Sequence, residues 1–300
     1  MEFNRELEFS YGVVEQLSPL IRRVMAPNPS PFTFHGTGTY IVGKGKVAII
    51  DPGPDLNDHI TAMLTAVGDE TVTHILITHT HRDHSPAANA LQEATGAATY
   101  GFGPHGSGRP ESGGDVEEGA DHNFEPDHEV RDGARIVGSG WTFTALHTPG
   151  HTSNHICYSL EEEHALFPGD HVMGWSTTVI SPPDGDMQSY MKSLRRCLER
   201  AASQDRIYYP THGPQITDPA SYVAQLIGHR EYRETQIKSC LDDGVINIPE
   251  MVIRMYADVP EQLHAAAQRS VLAHLIHMVE TGRAICNGIP TVGSTFTAID

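Results

Sequence analysis

A six-residue run, His79-Thr80-His81-Arg82-Asp83-His84, constrains this chain more than any other feature. It follows directly on Val72-Thr73-His74-Ile75-Leu76-Ile77-Thr78, a β-branched stretch that predicts a buried strand. Residues i and i+2 of an extended segment project the same way, so His79 and His81 can grip one cation as a pair. A helix is predicted from Ser85 to Ala94, with Ser85 as its cap and Pro86 in the first turn. The turn into that helix aims Asp83 and His84 at a second point close by. Four ligand-type residues in six positions require a fold that delivers a strand end to an accessible edge.

Three further segments offer donors of the same kind. Thr148-Pro149-Gly150-His151 follows the strand predicted over Trp141–His147 and contributes His151. Phe167-Pro168-Gly169-Asp170 follows another and contributes a carboxylate able to bridge two cations. Tyr209-Pro210-Thr211-His212-Gly213-Pro214 follows the strand at Arg206–Tyr209 and contributes His212. Imidazole and carboxylate without thiolate favour zinc, with iron or manganese as alternatives.

The surrounding pattern fits this edge. Thr39–Val42, a Gly43-Lys44-Gly45-Lys46 turn and Val47–Asp51 predict a hairpin. Further short strands are predicted at Ala134–Val137, His155–Leu160 and Ala165–Phe167, and a helix at Met187–Ala201. Strands in hairpin-like succession with few helices between them predict an α+β fold of two packed sheets flanked by helices. Phe102–Glu129, rich in Gly, Pro and acidic residues, is predicted to be a surface excursion or a lid. After Thr217 the order is helix to about Leu241, helix Pro249–Tyr256, longer helix Pro260–Glu280 and a Gly-punctuated tail, a winged-helix outline. The expected division is therefore a catalytic domain over 1–216 and a helical region over 217–300.

Charge narrows the partners. Lys and Arg number 20 against 38 Asp and Glu, a net charge of −18 over 300 residues. The region 217–300 carries 6 basic and 10 acidic residues, and its third helix, Glu261–Glu280, holds one arginine, Arg269. A DNA-reading helix needs more positive charge, so a structural, substrate-gating or homodimer-forming role is expected there. No apolar run approaches the ~18 residues of a membrane span. Met1–Glu8 has neither a basic start nor an apolar stretch. Cys157, Cys197, Cys240 and Cys286 form no CxxC pair, so a cytoplasmic protein with reduced thiols is expected.

HxHxDH, TPGH, GD and a late PxHG, in this order over about Tyr40 to Pro214, resemble the metallo-β-lactamase superfamily. The resemblance implies a four-layer αββα sandwich. It also implies that His79, His81 and His151 hold one Zn2+, that Asp83, His84 and His212 hold a second, and that Asp170 bridges them. Asp51, in Asp51-Pro52-Gly53, matches the early aspartate lying beneath the metal loop. The runs at 169–174, 190–194 and 209–214, with the winged-helix-like region, resemble the lactamase-beta-like endoribonuclease branch and its hydroxyacylglutathione-hydrolase-like bacterial relatives. Thr211 departs from that branch, where glycine usually precedes the last histidine.

Other candidates carry lesser roles. His155 and His171 are expected to support the site rather than ligate. Trp175, with Ser176, Thr177 and Thr178, either lines the substrate pocket or packs as a partly buried loop aromatic. His264, His274 and His277 are expected at a surface or interface. The expected activity is metal-assisted hydrolysis, a metal-bridging hydroxide attacking the electrophile while Asp83 takes a proton. The favoured substrate is a neutral or cationic small molecule with an ester-like bond, such as a thioester, lactone or lactam. The acidic charge disfavours RNA, since Glu111–Asp132 alone carries at least 8 net negative charges and the loop 174–183 has no basic residue. A single-strand endoribonuclease is the first alternative. A winged-helix protein that binds a ligand or nucleic acid beside a non-catalytic metal site is the second.

Overall fold

The computed structural model describes residues 3–109, 119–257 and 259–299. The first sheet begins with β1 (Val14–Gln16), β2 (Ile21–Met25), β3 (Gly38–Lys44) and β4 (Lys46–Ile50), paired antiparallel in sequence. After α1 (Asn57–Val67), β5 (Thr71–Leu76) joins β4 in parallel. After α2 (Ala87–Thr95), β6 (Ala98–Gly101) and β7 (His128–Glu129) extend the sheet. The second sheet contains β8 (Arg135–Val137), β9 (Thr142–His147), β10 (Ile156–Leu160), β11 (Ala165–Phe167) and, beyond α3 (Met187–Ala201), β12 (Ile207–Tyr208).

Alternation along the strands builds the layers. Tyr40, Val42, Ala48 and Ile50 point between the sheets and meet Phe143, Tyr158 and Phe167. Their neighbours Ile41, Val47 and Ile49 point the other way, onto Ile60 and Met63 of α1 and Ala88 and Leu91 of α2. The period of two thus places one helix layer outside the first sheet. On the second sheet, Leu146, Cys157 and Leu166 turn outward onto Tyr190 and Leu194 of α3. The order of layers is α, β, β, α, as the resemblance implies.

Strand direction explains where the donors collect. β4 and β5 are parallel, so Asp51 and His79 leave the first sheet at one edge. β10 is antiparallel to both β9 and β11, and β11 is parallel to β12. The carboxyl ends of β9, β11 and β12 therefore share one edge of the second sheet. The sheets are tied together there, since Ile156 N donates to Thr78 O at 2.7 Å and the Tyr158 hydroxyl donates to Ile77 O at 3.0 Å.

The C-terminal part contains α4 (Pro219–Asp242), α5 (Ile248–Met255), α6 (His264–Glu280) and the hairpin of β13 (Ala284–Cys286) and β14 (Phe296–Ala298). Its winged-helix core is Ile237, Ile248, Met251, Val271, Leu275 and Phe296. Ala273 of α6 packs instead with Tyr190 of α3, which joins this unit to the four layers. Among the described residues, no helix is long and apolar enough to cross a membrane.

Part of Phe102–Glu129 departs from the predicted surface excursion. Residues 110–118 lie outside the described residues. The return limb is anchored at points: Ala120, Asp121 and Phe124 are buried while His122, Asn123 and Glu125 are exposed. Asp121 N donates to Thr80 O at 2.9 Å and the Ser85 hydroxyl donates to the Asp121 carboxylate at 2.6 Å. Polar side chains that look like loop composition in the sequence are used here to pin the limb to the His79–His84 turn.

Candidate metal centre

Two groups of donors converge at the shared edge. His79, His81 and His151 form one, and Asp83, His84, Asp170 and His212 the other, with ligand atoms within 4.8 Å of one another in each. In the first, His79 Nε2 and His151 Nε2 lie 3.0 and 3.1 Å from His81 Nδ1. In the second, His212 Nε2 lies 3.1 Å from Asp83 Oδ2 and 3.4 Å from Asp170 Oδ1. His84 Nε2 is 3.6 Å from both Asp83 Oδ2 and Asp170 Oδ1. The other oxygen of Asp170, Oδ2, lies 3.8 Å from His151 Nε2. One carboxylate therefore addresses both groups.

The opposite ring nitrogens are anchored. Asp51 Oδ2 faces His84 Nδ1 at 2.9 Å, Val179 O faces His151 Nδ1 at 2.8 Å and Gly36 O faces His212 Nδ1 at 3.1 Å. Such partners fix the ring and its tautomer, so that Nε2 presents a lone pair. Asp51 holds a left-handed backbone (φ 47°) and accepts from Thr78 N at 2.8 Å and Thr78 Oγ1 at 2.7 Å. Thr211, the residue that departs from the family pattern, donates to Asp51 Oδ2 at 3.0 Å. Its hydroxyl is an added buttress that spacing alone did not reveal.

Two glycines let the loops close. At Gly150 (φ 139°) a Cβ would lie 2.3 Å from Tyr190 Cα, and at Gly169 (φ 51°) it would lie 2.6 Å from Thr78 Oγ1. TPGH and PGD thus require glycine for close approach as well as backbone conformation.

The electrostatics suit cations. Burial pushes His79 well below the ordinary histidine value, and His84, His81 and His151 add to this. Burial opposes ionisation of Asp83 and Asp170. His84 and His212 nevertheless hold Asp83 well below the carboxylate range, and His212 with His84 brings Asp170 to about 2. Burial disfavours charge on His84 as well, yet Asp83, Asp170 and Asp51 raise it. Protons on imidazole here offset carboxylate charge in the way a divalent cation would. His84 Nε2 and Asp170 Oδ1 are buried and make no hydrogen bond. Tetrahedral zinc at about 2.0–2.1 Å from each donor spaces its ligand atoms ~3.3 Å apart, close to the separations found. The donor set fits two such ions.

The supporting residues divide. His155 is buried, stacks on His79 with centroids 5.0 Å apart and pairs with Thr148 at 2.9 Å. His171 is buried against Tyr190 at 4.9 Å and lies outside both donor groups. Trp175 lines a cavity of about 890 Å3 that also contacts His81, Asp83, His151 and Asp170, and it stacks on Phe34 at 4.8 Å. Of the three helical histidines, expected at a surface or interface, His274 lies between α6 and α4. It is buried, because Glu234 of α4 offers its ring a partner at 3.4 Å and pairs with His277 at 2.7 Å. Two cationic side chains, Arg82 and Arg269, line the cavity walls from outside the loop 174–183. Arg269 is 57 residues beyond the last donor, and only the docking of α6 brings it there.

The family model described as Metallo-beta-lactamase superfamily matches residues 33–212, and that described as Beta-lactamase associated winged helix domain matches 248–289. The chain is similar to the Beta-lactamase-like protein 2 homolog of Caenorhabditis elegans, 31% identical over 90% of this chain and 87% of that protein. It is similar to the Atrochrysone carboxyl ACP thioesterase of Aspergillus chevalieri, 34% identical over 85% of this chain and 79% of that protein. In structure it resembles a metallo-beta-lactamase family protein from Thermus thermophilus, with TM-score 0.76 and 22% identity over 95% of this chain and all of that one.

Proposed function

The chain belongs to the metallo-beta-lactamase superfamily, and on that premise we propose that it is a two-cation hydrolase cleaving the thioester bond of a small acyl substrate. The observation that carries the two-cation reading is the placement of Asp170, whose two oxygens face separate donor groups. His79, His81 and His151 would hold one cation, Asp83, His84 and His212 the other, and Asp170 both. Zinc fits this donor set best. Bound there, divalent cations supply Lewis acidity, polarising an acyl oxygen and acidifying water.

The chain's own groups do the remaining work. Asp51, Val179 O and Gly36 O orient the imidazoles. Asp83 is the more open of the two carboxylates, its side chain 26% exposed against 10% for Asp170, and is placed to hold the proton released as water attacks. Trp175, backed by Phe34, gives the acyl group an aromatic wall. The cavity of about 890 Å3 is of the size that encloses a small molecule. A relative named as an acyl-carrier thioesterase, similar along 85% of this chain, supports the thioester class. The net charge of −18 supports it over RNA.

Thiol release from acyl thioesters, compared with lactones, a cephalosporin and single-stranded RNA, tests this on the metal-loaded protein. We expect thioesters to give the highest kcat/KM and His81→Ala to abolish it. Faster, metal-dependent RNA cleavage that His81→Ala abolishes would replace the thioester reading with an endoribonuclease.

A further inference from the structure

Arg269 is half-buried, and its guanidinium is held differently from those of three other arginines. Arg23 pairs with Glu15 at 2.7 Å, Arg200 with Asp205 at 2.7 Å, and Arg230 donates to Thr178 O. Arg269 Nε is buried and makes no hydrogen bond, as is also true of Arg23 Nε and Arg230 Nε, but among the described residues no other hydrogen bond holds the Arg269 guanidinium. Among the described residues, no ion pair to its guanidinium is found either. With no ion pair among the described residues, this half-buried guanidinium can meet an anion carried by a ligand in the cavity.

Its position is set by the helix. Ala273, four residues on, packs with Tyr190 of α3, in the catalytic layers. Residues i and i+4 share a helix face, so Arg269 projects toward the catalytic side. There it lines the cavity that also meets His81, Asp83, His151 and Asp170. Arg82 adds a second positive charge to the same walls, with its Nε tied to Ala120 O at 3.2 Å. The carboxylates among the described lining residues are Asp83 and Asp170, both committed to the donor groups. A planar guanidinium presents a fork that matches carboxylate or phosphate.

We propose that this cavity contains an anion subsite in which Arg269 binds a carboxylate or phosphate carried by the substrate. This rests on the hydrolase reading above and deepens it, replacing the neutral or cationic substrate expected from sequence. The anion lies on the acyl side if it is a carboxylate and on the thiol side if it is a pantetheine phosphate.

Two substrate pairs separate the sources. One compares an acyl thioester ending in a carboxylate with its methyl ester, both on pantetheine. The other compares one neutral acyl group on pantetheine and on 4′-phosphopantetheine. In the pair carrying the recognised anion, Arg269→Ala should lower kcat/KM of the anionic member about 10–100-fold, mainly through KM. The neutral member should hold its rate. Arg269→Lys should recover part of the loss. Arg195→Ala, which removes an exposed charge paired with Glu231 at 3.5 Å, should change neither. Equal effects on anionic and neutral members, or no anionic preference in either pair, would overturn the subsite.

The same pairs, made as non-hydrolysable thioethers, are titrated by calorimetry. Arg269-dependent binding of the anionic thioether without thioester turnover would reject the thioester reading and keep the subsite. Binding indifferent to Arg269 would overturn the subsite whatever the turnover.

Discussion

The sheet edge and the C-terminal unit both gather histidines around carboxylates, and of these two only the first has the form of a metal centre among the described residues. At the sheet edge, Asp83 and Asp170 face imidazoles whose far nitrogens are anchored to Asp51 or to main-chain carbonyls. In the C-terminal unit, Glu234 faces His274 and His277 and is also paired with Arg283. The arginine supplies the positive charge, so Glu234 needs no cation. Histidine count is therefore a poor guide to a metal site. Convergent donor atoms without a protein cation among them are a better one.

The contrast breaks most visibly in turnover. His81→Ala should lower kcat/KM by more than the about 10–100-fold typical of losing an outer partner, whereas His277→Ala should leave it nearly unchanged. Hydrolysis rates on a common thioester check both. Comparable losses would show that the two clusters are not functionally distinct.

Chelation sharpens the same difference. Ligand binding to the folded state alone stabilises by RT ln(1 + [L]/Kd), about 4 kcal/mol at a thousandfold excess over Kd. Thermal unfolding with and without a strong chelator should show a loss of this order in the wild type. His277→Ala should retain the full chelator-dependent shift, and Asp170→Ala should lose most of it.

With metal bound, protons should act on the C-terminal cluster, alongside His59 and His229, which burial also lowers to about 4. Burial lowers His274 to about 4, below the ~6.5 of an unfolded histidine. The folded state binds fewer protons between these values, so stability falls as pH drops from 6.5 toward 4. The slope from this residue is about 1 kcal/mol per pH unit near pH 5. Glu234 is also depressed, since hydrogen bonds from His274, His277 and Arg283 overcome burial. Its contribution is present above the unfolded value of ~4.3 and fades below it. Denaturant melts of metal-loaded protein at pH 7, 6 and 5 should flatten in His274→Gln. An unchanged slope would contradict the assignment.

The smallest effect concerns the buttress beneath the edge. Thr211→Val removes one of the donors to Asp51 and should cost about 0.5–1.5 kcal/mol, read as weaker metal affinity with the fold intact.

Much of this edge was legible because its donors are local. His79-Thr80-His81-Arg82-Asp83-His84 carries its geometry in a strand end and the turn after it, and TPGH and GD do the same. What the sequence hid depends on distant chain. β2 reads Ile-Arg-Arg-Val-Met, yet Arg23 is buried because Glu15 of β1 pairs with it. Asp121 looks like one more acid in an acidic loop until Ser85 claims it. Arg269 looks too solitary to read DNA, and its place in the cavity follows only from how α6 docks.

The central claim is that seven donors from the ends of four strands form one two-cation centre. The most direct measurement is zinc stoichiometry on metal-stripped protein, by titration and elemental analysis, for the wild type and Asp170→Ala. The account predicts two equivalents in the wild type, and at least one weakly held or absent in the variant. One equivalent at saturation in the wild type, or two tightly held in Asp170→Ala, would contradict it.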